Sequence, residues 1–297
     1  MRASLQDVTK VIKSSGMPAR ITQEPFDHDP GHYQRLGRLQ GASPDNSDLE
    51  DYASDMQYME LQPDLLRHLT PVLLTAWKRD LFEGGAAGYR GFVENFWPAL
   101  LKGEALQKIF TEPERVAFIN FIRETILDRI DAEDSLRFSG MGASPYRWVQ
   151  SIVCYGVLFP NIEDLWNEWW QAKTSGHAVA VFQYASALMY EEKKNPVFAP
   201  WTPDKGGGAP ALWHCGGPLF GIGWKEENLL FLKRILSVDY FNEHLRLALD
   251  KIHNLPARKT ATRIVDDLPG QETILGLRIE ELPKLLADMS AIEGFTF

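Results

Sequence analysis

The chain has 297 residues, 44% of them hydrophobic and 24% charged, and a formal net charge of −9. That length supports two domains, or one large one, around an ordinary globular core. The acidity argues against binding nucleic acid through its phosphates, which needs a basic face, and no apolar run approaches the roughly 20 residues that cross a bilayer.

The opening stretch MRASLQDVTKVIKSSG has no apolar core of signal-peptide type, so the expected compartment is the cytoplasm. Cys154 and Cys215, the two cysteines, are expected to stay thiols there. Leu5 to Ile12 suits a short helix, and Gly16 to Pro44, with its many Gly, Pro and Asp residues, reads as loop. Within it, Asp27-His28-Asp29-Pro30-Gly31-His32 holds metal-ligating residue types, but Pro30-Gly31 between the histidines favours a hydrated turn, and no metal is expected.

Gly41 to Leu66 carries seven acids (Asp45, Asp48, Glu50, Asp51, Asp55, Glu60 and Asp64) and no Lys or Arg. A solvated helix face with acids at its start would explain the pattern. The sharper reading is a contact surface for a basic protein partner. Asp45, Asp48, Glu50, Asp51, Asp55 and Glu60 would steer the approach, and the interleaved Tyr52, Tyr58 and Met59 would supply contact area.

Helices follow. Leu66, Leu69, Leu73, Trp77 and Leu81 recur at three- and four-residue steps, the period of one helical face. Pro71 after Thr70 fits either a kink or a fresh helix start with Thr70 as cap. A helix is expected around Gly91 to Leu101. Thr111-Glu112-Pro113-Glu114 forms a capping box ahead of a helix with Ile119, Ile122, Ile126 and Ile130.

The pairing of LQPDLLRHLTPVLLTAWKRDLF with the downstream FTEPERVAFINFIRETI resembles a family of uncharacterised bacterial helical domains. In that family a helix, a Thr/Ser/Leu-Pro step, a second helix, then Pro-Glu-Arg and an apolar helix follow one another. The resemblance covers residues 45–135, with Tyr52 or Tyr58 where the family places a Trp. It implies a helical fold and carries no activity.

Ser135 to Pro145, with two glycines, marks the expected boundary between an N-terminal helical domain (1–139, including the acidic segment 41–66) and an aromatic-rich C-terminal one (140–297). Asn161 begins a helix with Leu165, Trp166 and Trp169 on one face, which Gly176 ends. HAVAVFQYASALMYEEKK is then helical, although Ala178 to Phe182 could be a short strand. A long Gly/Pro-rich loop, 201–224, holds Trp213-His214-Cys215. After it Lys225 to Leu236 reads as a helix apolar nearly all round, hence buried. Asp239 caps the next helix, Pro256 to Arg263 reads as a basic loop, and Ile274 to Met289 as one or two helices broken at Pro283. The expected fold is mainly α, two packed helical subdomains, with at most a small β element in the second half.

Gly206-Gly207-Gly208 is not followed by the Gly-Lys-Ser/Thr of a phosphate loop, so no cofactor is expected. Adjacent His214 and Cys215 diverge and would need a partner from elsewhere to form a nucleophile pair, with His177, His244 and His253 as candidates. Two function classes remain. One is a non-catalytic binding protein, similar in its acidic, aromatic, helical character to the immunity proteins with which bacteria neutralise antibacterial toxins. The other is an enzyme with a site between the halves near loop 201–224, lined by His177, His214 and Cys215.

Overall fold

The structure, a computed structural model, describes residues 9–10, 12, 16–24, 33, 36, 47–56, 58–83, 96–97, 100–101, 105–137, 144–190, 194–197 and 222–288. It is mainly α, with ten helices and no strand among the described residues. Ala178–Phe182, for which the sequence also permits a short strand, is helical. Contacts divide the chain into two compact units, Met1–Thr125 and Ile126–Phe297. The division falls ahead of the Gly-containing stretch 135–145 that composition marks.

The first unit contains α1 (Ser47–Met56), α2 (Pro63–Glu83), α3 (Ala105–Ile109) and most of α4 (Glu112–Asp131). Helix α2 buries Leu66, Leu69, Leu73, Trp77 and Leu81 as its period requires. It runs unbroken through Pro71, and the Thr70 hydroxyl donates to the Leu66 carbonyl rather than capping a new start. Trp77 meets Phe96 and Trp97 at 5.8 and 5.6 Å between ring centroids, and Phe96 stacks on Phe118 at 6.3 Å. Each such ring, fully buried, contributes on the order of 2 kcal/mol.

The start of α4 is joined to α2. Glu114 accepts from the Thr111 N–H at 2.8 Å, the backward half of a capping box, and from the Thr111 hydroxyl at 2.9 Å. Arg67 from α2 grips the same carboxylate with both terminal nitrogens and also donates to the Ile109 carbonyl at 2.8 Å. Burial works to raise the Glu114 carboxyl. The guanidinium and the two Thr111 donors outweigh it, leaving the group below its ordinary value.

The second unit is arranged around α7 (Ser175–Met189), which is buried at every position from Gly176 to Met189. Around it lie α5 (Ser144–Leu158), α6 (Ile162–Trp170), α9 (Val238–Leu249) and α10 (Leu255–Ala287). Helix α8 (Glu226–Ile235) packs on α6 and α10. Tyr184 of α7 presents its ring edge-on to Trp166 and Trp169 of α6, with centroids 5.5 and 5.3 Å apart.

Several boundaries differ from the sequence reading, each for a physical reason. Gly176 lies inside α7, at a point where a Cβ would stand 1.8 Å from the Asp131 carbonyl oxygen. The break before it is made by Ala172 in the left-handed region (φ 47°) and by Thr174, whose hydroxyl caps the His177 N–H. Helix α8 is amphipathic, burying Asn228, Phe231 and Leu232 while Leu230 is exposed. Ser237, not Asp239, caps α9. The basic stretch 256–263 is the start of α10, a helix of 33 residues that continues through Pro269 and Pro283. Tyr33 and Leu36, placed in a loop by composition, are helical and buried.

Two measurements test these contacts. Gly176→Ala should cost about 3 kcal/mol of unfolding free energy by urea titration, because the backbone it meets has no room to yield. Gly270→Ala, whose Cβ would meet nothing within 4 Å, should instead stabilise by about 0.5–1 kcal/mol. Glu114→Gln should cost about 2 kcal/mol at neutral pH. A carboxyl held low in the folded state stabilises above its unfolded value and loses that contribution as pH falls, so the gap to the native chain should close below about pH 4.3.

Candidate functional site

Helix α1 carries the acidic segment, and the structure divides its candidate residues between two faces. Glu50 and Glu60 are exposed, and Asp48, Asp51 and Met59 are partly buried. Tyr58 is 57% exposed just beyond the helix end, its N–H held at 2.8 Å by the Asp55 carbonyl, which also takes the Met59 N–H at 3.1 Å. Asp45 lies outside the described residues.

Tyr52 and Asp55 point the other way, into the core. Both were grouped with the contact surface on sequence, and burial corrects that placement. Tyr33 donates its hydroxyl to the Asp55 carboxylate at 3.0 Å and meets the Tyr52 ring edge-on at 5.3 Å. Burial, then the Asp55 charge, holds the Tyr33 phenol above its ordinary range; burial does the same for Tyr52. Gln23 adjoins the Tyr52 hydroxyl without reaching hydrogen-bond geometry.

The approach to α2 is fixed nearby. Gln62 accepts from the Thr22 N–H at 2.7 Å and donates its own N–H to the Gln23 side chain at 2.9 Å. Segment 20–24 is thus tied to the α1–α2 connection, and α1 is attached through an inner face that includes Asp55, with Glu50 outward.

Of the alternative residues, His177 is buried in the first turn of α7. His214 and Cys215 lie outside the described residues, as do Asp27 to His32. Cys154 is buried in α5. Among the described residues no group of three or more His, Cys, Asp or Glu side chains converges, and no helix is long and apolar enough to cross a membrane.

Sequence reasoning missed several buried polar side chains. Asn228 of α8 accepts from the Ile162 N–H at 3.1 Å and donates to the Gly156 and Phe159 carbonyls at 2.9 and 2.8 Å. It thereby caps α6, while Asn161, in the left-handed region, makes no side-chain cap. Gln183 of α7 donates to Glu133 at 2.7 Å and to the Ser135 carbonyl at 2.9 Å, and Arg129 pairs with Glu133 at 2.9 Å. The available signal was a Gln inside an otherwise apolar helix, since such a residue has to be satisfied by other elements.

No protein-family model, curated protein or solved structure matches the chain.

The inner attachment of α1 is open to a paired test. Tyr33→Phe removes a donor from a buried carboxylate and should cost about 2 kcal/mol. Tyr52→Phe removes a buried hydroxyl that has no bonded partner among the described residues, and should change stability by less than about 0.5 kcal/mol. Urea denaturation of the two single variants compares them directly.

Proposed function

We propose that the chain is a non-catalytic binding protein whose acidic face in the first unit receives a basic protein partner. The proposal includes the mode of action of bacterial immunity proteins, which occupy a basic toxin surface with acidic side chains, and a cytoplasmic setting. It also includes the resemblance of residues 45–135 to the bacterial helical domains.

The observation that carries the reading is the two-faced character of α1. Its inner residues, Tyr52 and Asp55, are committed to the core, while Glu50 on the helix, and the 57% exposed Tyr58 and Glu60 just past its end, face solvent. Such a surface is pre-organised, so little ordering opposes association. Carboxylates at its rim accelerate approach to a positive surface, and an exposed Tyr offers broad area with few torsions to freeze.

The test begins with a partner captured from the native host and then measured kinetically. Asp48→Asn, Glu50→Gln and Asp51→Asn together should slow association about tenfold at low salt and flatten its salt dependence. Far-UV circular dichroism and urea denaturation check that the triple variant keeps its fold, so that a change in rate reports on charge. Tyr58→Ala should act on dissociation, by about 2 kcal/mol if the ring is a central anchor. An unchanged association rate and salt slope in the neutralised protein would reduce α1 to a solvated face and sink the proposal.

A further inference from the structure

Residues 251–263 contain Lys251, His253, Arg258, Lys259 and Arg263 and not one Asp or Glu, in a chain of net charge −9. All five side chains are exposed, and Leu255 among them is 78% exposed. The segment is firmly held. The His253 N–H donates to Ser175 Oγ at 3.2 Å, and Asn254 Oδ1 takes the Ala257 N–H at 3.1 Å, capping α10. Arg258 lies 3.9 Å from Asp250 and Arg263 3.7 Å from Asp267, exposed pairs that neutralise little. Lys251 and Lys259 form no ion pair among the described residues.

The placement of these charges runs against the helix itself. The first turns of a helix favour acids, yet α10 has none in its first turn and carries Arg258 and Lys259 near its positive end. On this surface Asp250 and Asp267 each offset one arginine in part, and Lys251 and Lys259 are left with no ion pair among the described residues. Breaks in a local rule that are only partly compensated gather at functional positions.

We propose that this surface docks an acidic peptide segment of a partner protein, its carboxylates meeting Lys251, Arg258, Lys259 and Arg263, and an apolar side chain covering Leu255. The rest of the chain is more acidic still, so an extended polyanion such as a bilayer or a duplex would meet repulsion beyond the patch. A short segment meets the patch and the acids that flank it, Asp250 and Asp267, and little else, because charges beyond about 8 Å are screened at physiological salt. The site belongs to the second unit, and binding there does not require the acids of α1.

The full-length chain is titrated by fluorescence anisotropy against a labelled short peptide of Glu and Leu residues. A Gln-for-Glu peptide, phosphatidylserine-containing vesicles and a DNA duplex serve as comparison probes. The Glu peptide should bind most tightly and weaken as salt rises. Lys251→Ala with Lys259→Ala should weaken it about tenfold, and Leu255→Ser about fivefold. Lys233→Ala, an exposed base on α8, should leave binding unchanged. Far-UV circular dichroism confirms that each variant is folded. Absence of Glu-peptide binding, equal binding by the double variant, or preference for vesicles or duplex overturns the proposal.

Discussion

A helix with no solvent face has to find protein partners for the backbone groups at its own ends, and much of the second unit answers that demand. The last carbonyls of α7 cannot turn to water. Arg278 from α10 donates to the carbonyls of Ala187, Leu188 and Tyr190 at 2.9, 3.2 and 2.7 Å, and Asn195 donates to that of Ser186 at 3.0 Å. At the other end the Thr174 hydroxyl takes the His177 N–H and is bonded to Asp131 at the end of α4. The polar side chains of α7 extend the same logic. Gln183 reaches Glu133, which is paired with Arg129, so these buried charged groups are satisfied together. Tyr190, just past the helix, gives its hydroxyl to Asp267 of α10 at 2.8 Å.

The first unit solves a different problem, that of holding a charged helix on an aromatic core. Apolar contact alone leaves α1 few anchors, since Leu49, Tyr52, Ala53 and Met56 are the apolar side chains it buries. The Tyr33–Asp55 hydrogen bond adds direction to that contact, and Gln62 ties the following turn to residues 20–23. The outward acids are thereby presented by a fixed support. The same unit uses a second buried carboxylate, Glu114, where Arg67 and Thr111 converge. In both cases the acid that matters to the fold is buried and bonded, and the acids that matter to the proposed function are the ones left at the surface.

The legible parts of the fold were those written in local pattern. The period of Leu66, Leu69, Leu73, Trp77 and Leu81 gave α2, and Thr111 to Glu114 marked the start of α4, because both signals act within a few residues. What escaped was long-range satisfaction of polar groups. Asn228 caps a helix 66 positions earlier, and Arg278 closes α7 from 90 positions away; neither leaves a trace in neighbouring residues. Two prolines concealed α10 because its packing against α7, α8 and α9 outweighs the hydrogen bonds they remove. The candidate surface was legible as composition only. Charge counting found the segment, but which acids face solvent depends on Tyr33, a residue from a stretch that composition assigned to loop.

Helix α6 is bounded by two residues in left-handed backbone, Asn161 at φ 69° and Ala172 at φ 47°. Asn tolerates that conformation, whereas for Ala it costs about 1–2 kcal/mol. The Trp cluster between them outweighs the strain, and that has a hereditary consequence. Ala172 is also buried, so β-branched residues are barred by its backbone and large ones by its surroundings. Position 172 therefore acts as a narrow filter on drift, passing Ala and Gly, while the exposed neighbours Gln171 and Lys173 are free to vary.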